Sequence, residues 1–144
     1  MRKREENKHI KLNNHGFSLL ELMAVMVILG FIATIAVPKY YSQVRKAKQQ
    51  TAKTQIEMLM TAMNAYRMDV GDFPSPNEGI SALITDPGIE DWDGPYLAKA
   101  IPQDPWKRDY NYQNPGQYGE IDIFTLGKDN REGGTKEDKD IGSW

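Results

Sequence analysis

Gly16-Phe17-Ser18-Leu19-Leu20-Glu21-Leu22 opens the run that decides the architecture of this 144-residue chain. A basic leader precedes it, and a single carboxylate stands inside otherwise apolar sequence. From Leu22 to Val37 no side chain is charged, and the whole stretch from Phe17 to Val37 is 21 residues. At about 1.5 Å per residue, a helix of that length spans roughly 31 Å, close to the hydrocarbon thickness of a bilayer. A carboxylate within it costs about 2.5–3.5 kcal/mol on insertion scales, so Glu21 calls for a partner. Cleavage between Gly16 and Phe17 would supply one, an α-amine with a pKa of about 7.7–8.0. That amine lies about one helical turn before Glu21. It can pair within one chain or with the Glu21 of a neighbour, and the second arrangement sets a fixed axial stagger. The other reading is a Glu21 at the headgroup boundary that snorkels to water.

Charge gives the orientation. Arg2, Lys3, Arg4, Lys8 and Lys11 flank the apolar segment on its N-terminal side, so the leader stays cytoplasmic and the C-terminal part faces the other compartment. Without the five basic and two acidic side chains of 1–16, the remaining 128 residues hold 13 basic and 18 acidic groups, net −5. That balance argues against a nucleic-acid partner, which needs a basic surface. A conventional secretory signal is the competing reading, but it would have a shorter uncharged core and a small-x-small cleavage site. Glu21 intrudes here, and the helical pattern continues past Pro38.

Beyond Pro38, which should bend or loosen the helix, Val44, Ala52, Ile56, Leu59, Met63 and Tyr66 recur at helical steps while Lys46, Lys48, Lys53 and Arg67 take other faces. Met58, Met60 and Met63 read as packing against the rest of the chain. Gly71 ends the pattern, and Pro74 and Pro76 prevent its resumption. Residues 72–144 then form a small loop-rich domain. A short helix is expected over Ile80–Ile84. A β-hairpin is expected from Asp109–Gln113 and Tyr118–Leu126 around Asn114-Pro115-Gly116, with a third strand near Asp140–Trp144. Trp92, Tyr96, Leu97, Trp106, Phe124 and Trp144 are the expected core.

About seventy residues rarely hold a secure core without a staple. Disulfides are impossible in a chain without Cys, and both histidines, His9 and His15, fall in the leader. A chain cut after Gly16 lacks the commonest general base and the strongest nucleophile, which points away from an enzyme. The tail 126–140 gathers Asp129, Glu132, Glu137, Asp138 and Asp140 around Gly133-Gly134. Oxygen-rich loops of this kind can hold calcium. The spacing is not that of an EF-hand, however. By composition alone, a solvated acidic loop neutralised by Lys128, Arg131, Lys136 and Lys139 is the better reading.

The leader, Gly16, Phe17-Ser18-Leu19-Leu20-Glu21 and the long apolar helix resemble the class III signal of type IV pilins and pseudopilins. Gly71-Asp72-Phe73-Pro74-Ser75, Asn77-Glu78-Gly79-Ile80-Ser81-Ala82-Leu83, Asp104-Pro105-Trp106, the run Gly119–Gly127 and the terminal Asp140–Trp144 narrow the likeness. Together they resemble the protein G family, the major pseudopilins of type II secretion, from about Gly16 to Trp144. The resemblance implies a pilin-like α+β fold, a long N-terminal helix packed on a small domain with a short antiparallel sheet and a calcium-stabilised loop. It implies a leader (1–16), a filament-core or transmembrane half-helix (17–37), an amphipathic half-helix (38–71) and a periplasmic domain (72–144). It further implies cutting after Gly16 by a prepilin peptidase, N-methylation of Phe17, and Glu21 as the assembly glutamate.

One calcium ion would be held by Asp129, Asp138 and Asp140 side chains and the Leu126 carbonyl. Asn130, where the family often has Gly, and the lysines at 136 and 139 depart from its pattern and leave the choice among Glu137, Asp138 and Asp140 open. The implied subunit is stored in the inner membrane, single-pass, with its C-terminal domain periplasmic. It would polymerise with itself into a periplasmic pseudopilus that helps push folded exoproteins through an outer-membrane secretin. Its partners would be minor pseudopilins, the inner-membrane assembly platform, the peptidase and, before assembly, lipid. Two alternatives remain at this point: a type IV pilin for adhesion, motility or DNA uptake, and an anchored periplasmic binding module that never polymerises.

Overall fold

The computed structural model describes residues 16–144; the leader expected over 1–16 lies, apart from Gly16, outside the described residues. Helix α1 runs Leu19–Val70. The chain divides after Tyr40 into two compact units. In the first, the side chains of the apolar run are exposed throughout, Phe17 to 89% and Phe31 to 70%. Pro38 lies within α1 and has no N–H to donate to the Thr34 carbonyl.

In the second unit, α1 buries one face. Ala52, Ile56, Leu59, Ala62, Met63 and Tyr66 recur at three- and four-residue steps and are all buried, as the periodicity predicts. Met63 is fully buried and Met60 packs partly against the core, but Met58 is 43% exposed and does not share the packing role expected of it. The helix stops at Gly71, whose φ of +94° suits a residue without a Cβ. Its amide donates to the Arg67 carbonyl at 2.9 Å.

A capping box prepares the next turn. The Ser75 amide donates to the Glu78 carboxylate at 2.7 Å and the Glu78 amide returns a bond to the Ser75 hydroxyl at 3.4 Å. A 3-10 helix follows at Gly79–Leu83, burying Ile80, Ala82 and Leu83. Strands β1 (Asn111–Gln113), β2 (Asp122–Thr125) and β3 (Ile141–Gly142) form an antiparallel sheet in the order β1-β2-β3. Tyr112 faces Ile123 across the first pair and Thr125 faces Ile141 across the second.

The hairpin is there with shorter strands than expected. Residues 114–121 leave the ladder because the buried Asp122 carboxylate gathers the amides of Gln117, Tyr118 and Gly119 at 2.6, 3.0 and 3.1 Å. Those amides would otherwise need strand partners.

The core joins the buried face of α1 to Ile80, Ala82, Leu83, Leu97, Tyr110, Ile121 and Ile123. Tyr96 lies edge-on to Tyr66 at 5.5 Å between centroids and to Trp92 at 5.8 Å. Three expected core residues are corrected. Trp106 is half-buried and stands outside the core cluster, because its amide is held in a turn by the Asp104 carboxylate. Trp144 is 55% exposed and stacks on exposed Tyr118 at 4.3 Å instead, because β3 ends at Gly142 and the final ring lies over the hairpin surface. Phe124, partly exposed on the face of β2 opposite Ile123, joins that surface group at 5.9 Å from Trp144.

Candidate functional site

At the start of α1 the Ser18 amide donates to a Glu21 carboxylate oxygen at 2.9 Å, and the Glu21 amide donates to the Ser18 hydroxyl at 3.2 Å. This reciprocal pair is the Ser-x-x-Glu capping box, and it satisfies donors that the first turn of a helix leaves orphaned. The spacing was visible in the sequence, yet charge pairing alone predicts only the α-amine as partner for Glu21. In the uncut chain the Phe17 nitrogen is a peptide nitrogen. The Ser18 amide is the group that holds the Glu21 carboxylate in this chain.

The C-terminal loop is built on a buried node. Asp104, 2% exposed, accepts from the amides of Trp106 and Arg108 at 2.9 Å each and from the Thr125 hydroxyl at 2.5 Å. This folds the Asp104–Arg108 turn, in which Lys107 takes a φ of +68°, and aims the Arg108 guanidinium at the loop. Its nitrogens donate to the Gly127 carbonyl at 2.7 Å and to the Lys128 carbonyl. Those two carbonyls are thereby engaged. Arg108 is the residue that sequence reading missed; Asp104-Pro105-Trp106 marked the turn but not the arginine beyond it.

Further bonds close the loop. The Lys128 amide donates to the Glu137 carbonyl at 2.9 Å, and the two side chains pair at 2.8 Å. That pair holds the Glu137 carboxyl below its ordinary range and lifts the Lys128 ammonium above its own. Glu137 is thus committed to a lysine. Gly127 and Gly134 both lie against the Asp138 backbone, where an added Cβ would come within 2.8 Å and 2.5 Å of its carbonyl group. Only residues without a side chain allow the loop to wrap this closely.

The four expected calcium donors fall into two places. Leu126 and Asp140 line one cavity of about 310 Å³, together with Glu132 and Gly133. Asp129 and Asp138 line another, beside Lys128, Lys136 and Glu137. Asp129 accepts from the Arg131 amide at 3.2 Å. Among the described residues no three acidic or His side chains are gathered as a metal cluster. The donor chemistry nevertheless suits a hard cation at one point. Asp140 Oδ2 accepts from the Gly133 amide at 2.7 Å, while its Oδ1 is buried with no partner. A buried carboxylate oxygen is costly when unpaired, and a cation is one way to satisfy it.

The comparisons with known proteins follow the same division of the chain. A model described as the prokaryotic N-terminal methylation motif matches residues 11–37. One described as type II secretion system protein G matches residues 39–144. The chain belongs to the type II secretion protein G family. The type II secretion system core protein G of Vibrio cholerae is 44% identical over 133 residues, covering 90% of each chain. That of Aeromonas hydrophila is 42% identical, covering 93% of this chain and 94% of the relative. A crystal structure of the major pseudopilin from the type 2 secretion system of enterohaemorrhagic Escherichia coli superposes with a TM-score of 0.60 at 34% identity. It covers 71% of this chain and 87% of that one.

As a pseudopilin, this protein is a structural subunit of the type II secretion pseudopilus and not an enzyme. The methylation motif carries with it processing by prepilin peptidase and pilus-like self-assembly. The N-terminal apolar helix is the part suited to the membrane.

Proposed function

We propose that this pseudopilin is cut between Gly16 and Phe17, methylated at the new Phe17 amine, and registered in the filament by pairing that amine with Glu21 of a neighbour. The carrying observation is the solvent exposure of the whole run Phe17–Val37 around one carboxylate. A surface that apolar needs lipid before assembly and other helices after it. In the uncut chain Glu21 caps its own helix, which offsets part of the cost of placing it there. Cutting adds a cationic partner, and each subunit then offers both halves of an ion pair. The N-terminus is cytoplasmic and the domain 41–144 periplasmic, as the leader charges favour. Growth of the filament against an assembly platform, with minor pseudopilins, then drives exoprotein export.

The C-terminal loop holds one calcium ion on this reading. Asp140 and the Leu126 carbonyl are its first donors, supported by the orphaned Asp140 oxygen. Asp129 and Asp138, which line the separate cavity beside Glu137, would join the set as the loop closes on the ion. A bound ion would neutralise acidic side chains and tie the loop, while Arg108 already occupies the Gly127 and Lys128 carbonyls.

The decisive experiment replaces Glu21 by Ala and by Gln in the full-length chain, in cells that carry the secretion machinery. Cleavage should persist while sheared filaments and secretion are lost. Filaments at normal yield from Glu21→Ala would remove the register role.

A further inference from the structure

Charge is segregated along this chain. Between residues 22 and 56 there is no acidic side chain, while Lys39, Arg45, Lys46, Lys48 and Lys53 are basic. Between 68 and 98 there is no basic side chain, while Asp69, Asp72, Glu78, Asp86, Glu90, Asp91 and Asp93 are acidic.

The basic block borders a groove. Lys46 and Lys53, seven residues apart, lie on one face of α1 about 10.5 Å from each other. With Lys139, Gln49, Gln50 and Trp144 they line an open groove of about 580 Å³ beside β3. Asp140, the carboxylate that also lines it, already accepts from the Gly133 amide. The ion pairs among the described residues are Arg67–Glu120 and Lys128–Glu137. The three groove lysines therefore have no carboxylate partner there, and neither do exposed Glu90, Asp91 and Asp93 a cationic one.

Distance keeps the two sets apart within one molecule. Trp92 packs on Tyr96 and Tyr96 on Tyr66, so the acidic loop sits at the level of Tyr66 on α1. From there to the midpoint of Lys46 and Lys53 is about 25 Å along the helix. That exceeds a Debye length of about 8 Å at physiological ionic strength. A second copy displaced by about the same amount along the axis brings its acidic loop to this groove.

We infer that the groove lined by Lys46, Lys53 and Lys139 receives the acidic loop 86–93 of another copy of this chain. The contact would be a lateral pairing of periplasmic domains within the filament. It rests on the polymer reading above and does not use Glu21; Lys46 and Lys53 of the groove lie on α1, and only Lys139 and Asp140 come from the C-terminal loop. Its role is selection as well as cohesion. Staggers that set basic block against basic block, or acidic loop against acidic loop, repel, so the contact favours the offset that joins opposite charges.

The chain has no cysteine, which makes a direct test clean. Lys53→Cys and Glu90→Cys are placed in separate full-length copies expressed together with the assembly machinery, and sheared filaments are oxidised. Disulfide-linked dimers should form from the mixture and from neither variant alone. Filaments of normal yield without that link would overturn the contact while leaving polymerisation intact. Absence of filaments from the unaltered chain would instead sink the polymer reading, and this contact with it. Charge reversal gives an independent readout. Lys46→Glu with Lys53→Glu should cut filament yield about tenfold, and adding Glu90→Lys with Asp93→Lys should recover most of it. Reversal of either side with no loss of yield overturns the proposal.

Discussion

The Thr125 hydroxyl donates to Asp104 Oδ2 at 2.5 Å, and both residues are 2% exposed. One carboxylate thus joins β2 to the Asp104–Arg108 turn, and it is the acceptor for two amides of that turn as well. Asp104→Ala orphans three donors in the interior and should lower the unfolding free energy of a 41–144 fragment by about 3–5 kcal/mol. Asp104→Asn should cost only about 1–2 kcal/mol, because an amide oxygen still accepts and the Thr125 hydroxyl can turn to accept from the new amide. Urea denaturation reads both. Equal losses for the two variants would show that the node is mere packing.

Arg108 carries the node outward to the C-terminal loop. Arg108→Gln releases the Gly127 and Lys128 carbonyls and should cost about 1–3 kcal/mol. Arg108→Lys should recover little, since an ammonium cannot span two carbonyls as a planar fork does. Amide hydrogen exchange should rise selectively over 126–140. Unchanged exchange there would separate the arginine from loop order.

Much of this arrangement was legible in the sequence, and what was not has identifiable reasons. The period of Ala52, Ile56, Leu59, Met63 and Tyr66 foretold the buried face of α1, because a stripe at 3.6 residues has one way to be covered. Gly71 and the prolines fixed its end. Trp144 went wrong because hydrophobicity says that a ring seeks cover, not which cover; it took the exposed Tyr118 ring over the core. The hairpin strands came out short because the buried Asp122 carboxylate competes for amides that alternation assigns to the ladder. At Glu21, the charge argument concealed a capping box of four residues, Ser18–Glu21. Arg108 carried no local signal, since its partners lie at residues 127 and 128 and only the fold unites them.

Alkaline pH should loosen the domain. The Tyr112 hydroxyl donates to the Pro74 carbonyl at 2.7 Å, and burial pushes its pKa up to about 12 from an ordinary 10.0. Burial also raises Tyr110, which donates to the Gln55 side chain at 2.6 Å. A raised folded-state pKa means that the folded chain keeps a proton the unfolded chain gives up. The stability contributed is complete below about pH 10 and is lost as pH climbs from 10 towards 12 and beyond. Thermal midpoints measured between pH 8 and 11, followed with tyrosinate absorbance, should fall at the alkaline end. Replacing both residues by Phe should flatten that fall. A profile as steep in the double variant would place the sensitivity elsewhere.

Calcium should act on the fold through Asp140. Its Oδ1 is buried without a partner while Oδ2 holds the Gly133 amide, so the side chain is fixed in place with one oxygen unspent. A ligand that binds only the folded state stabilises it by about 2.7 kcal/mol at a hundredfold excess over Kd. For the 41–144 fragment, EDTA should lower the thermal midpoint and calcium should restore it, whereas magnesium, which demands tighter octahedral geometry, should restore less. Asp140→Asn keeps an oxygen for the Gly133 amide but loses the charge. Its midpoint should match that of the EDTA-treated parent and no longer respond to calcium. Glu137→Gln removes only a carboxylate already paired with Lys128 and should retain the calcium response. A parent midpoint indifferent to EDTA would make 126–140 a plain acidic loop held by Arg108 and its own hydrogen bonds, and the unpaired Asp140 oxygen would then be met by water.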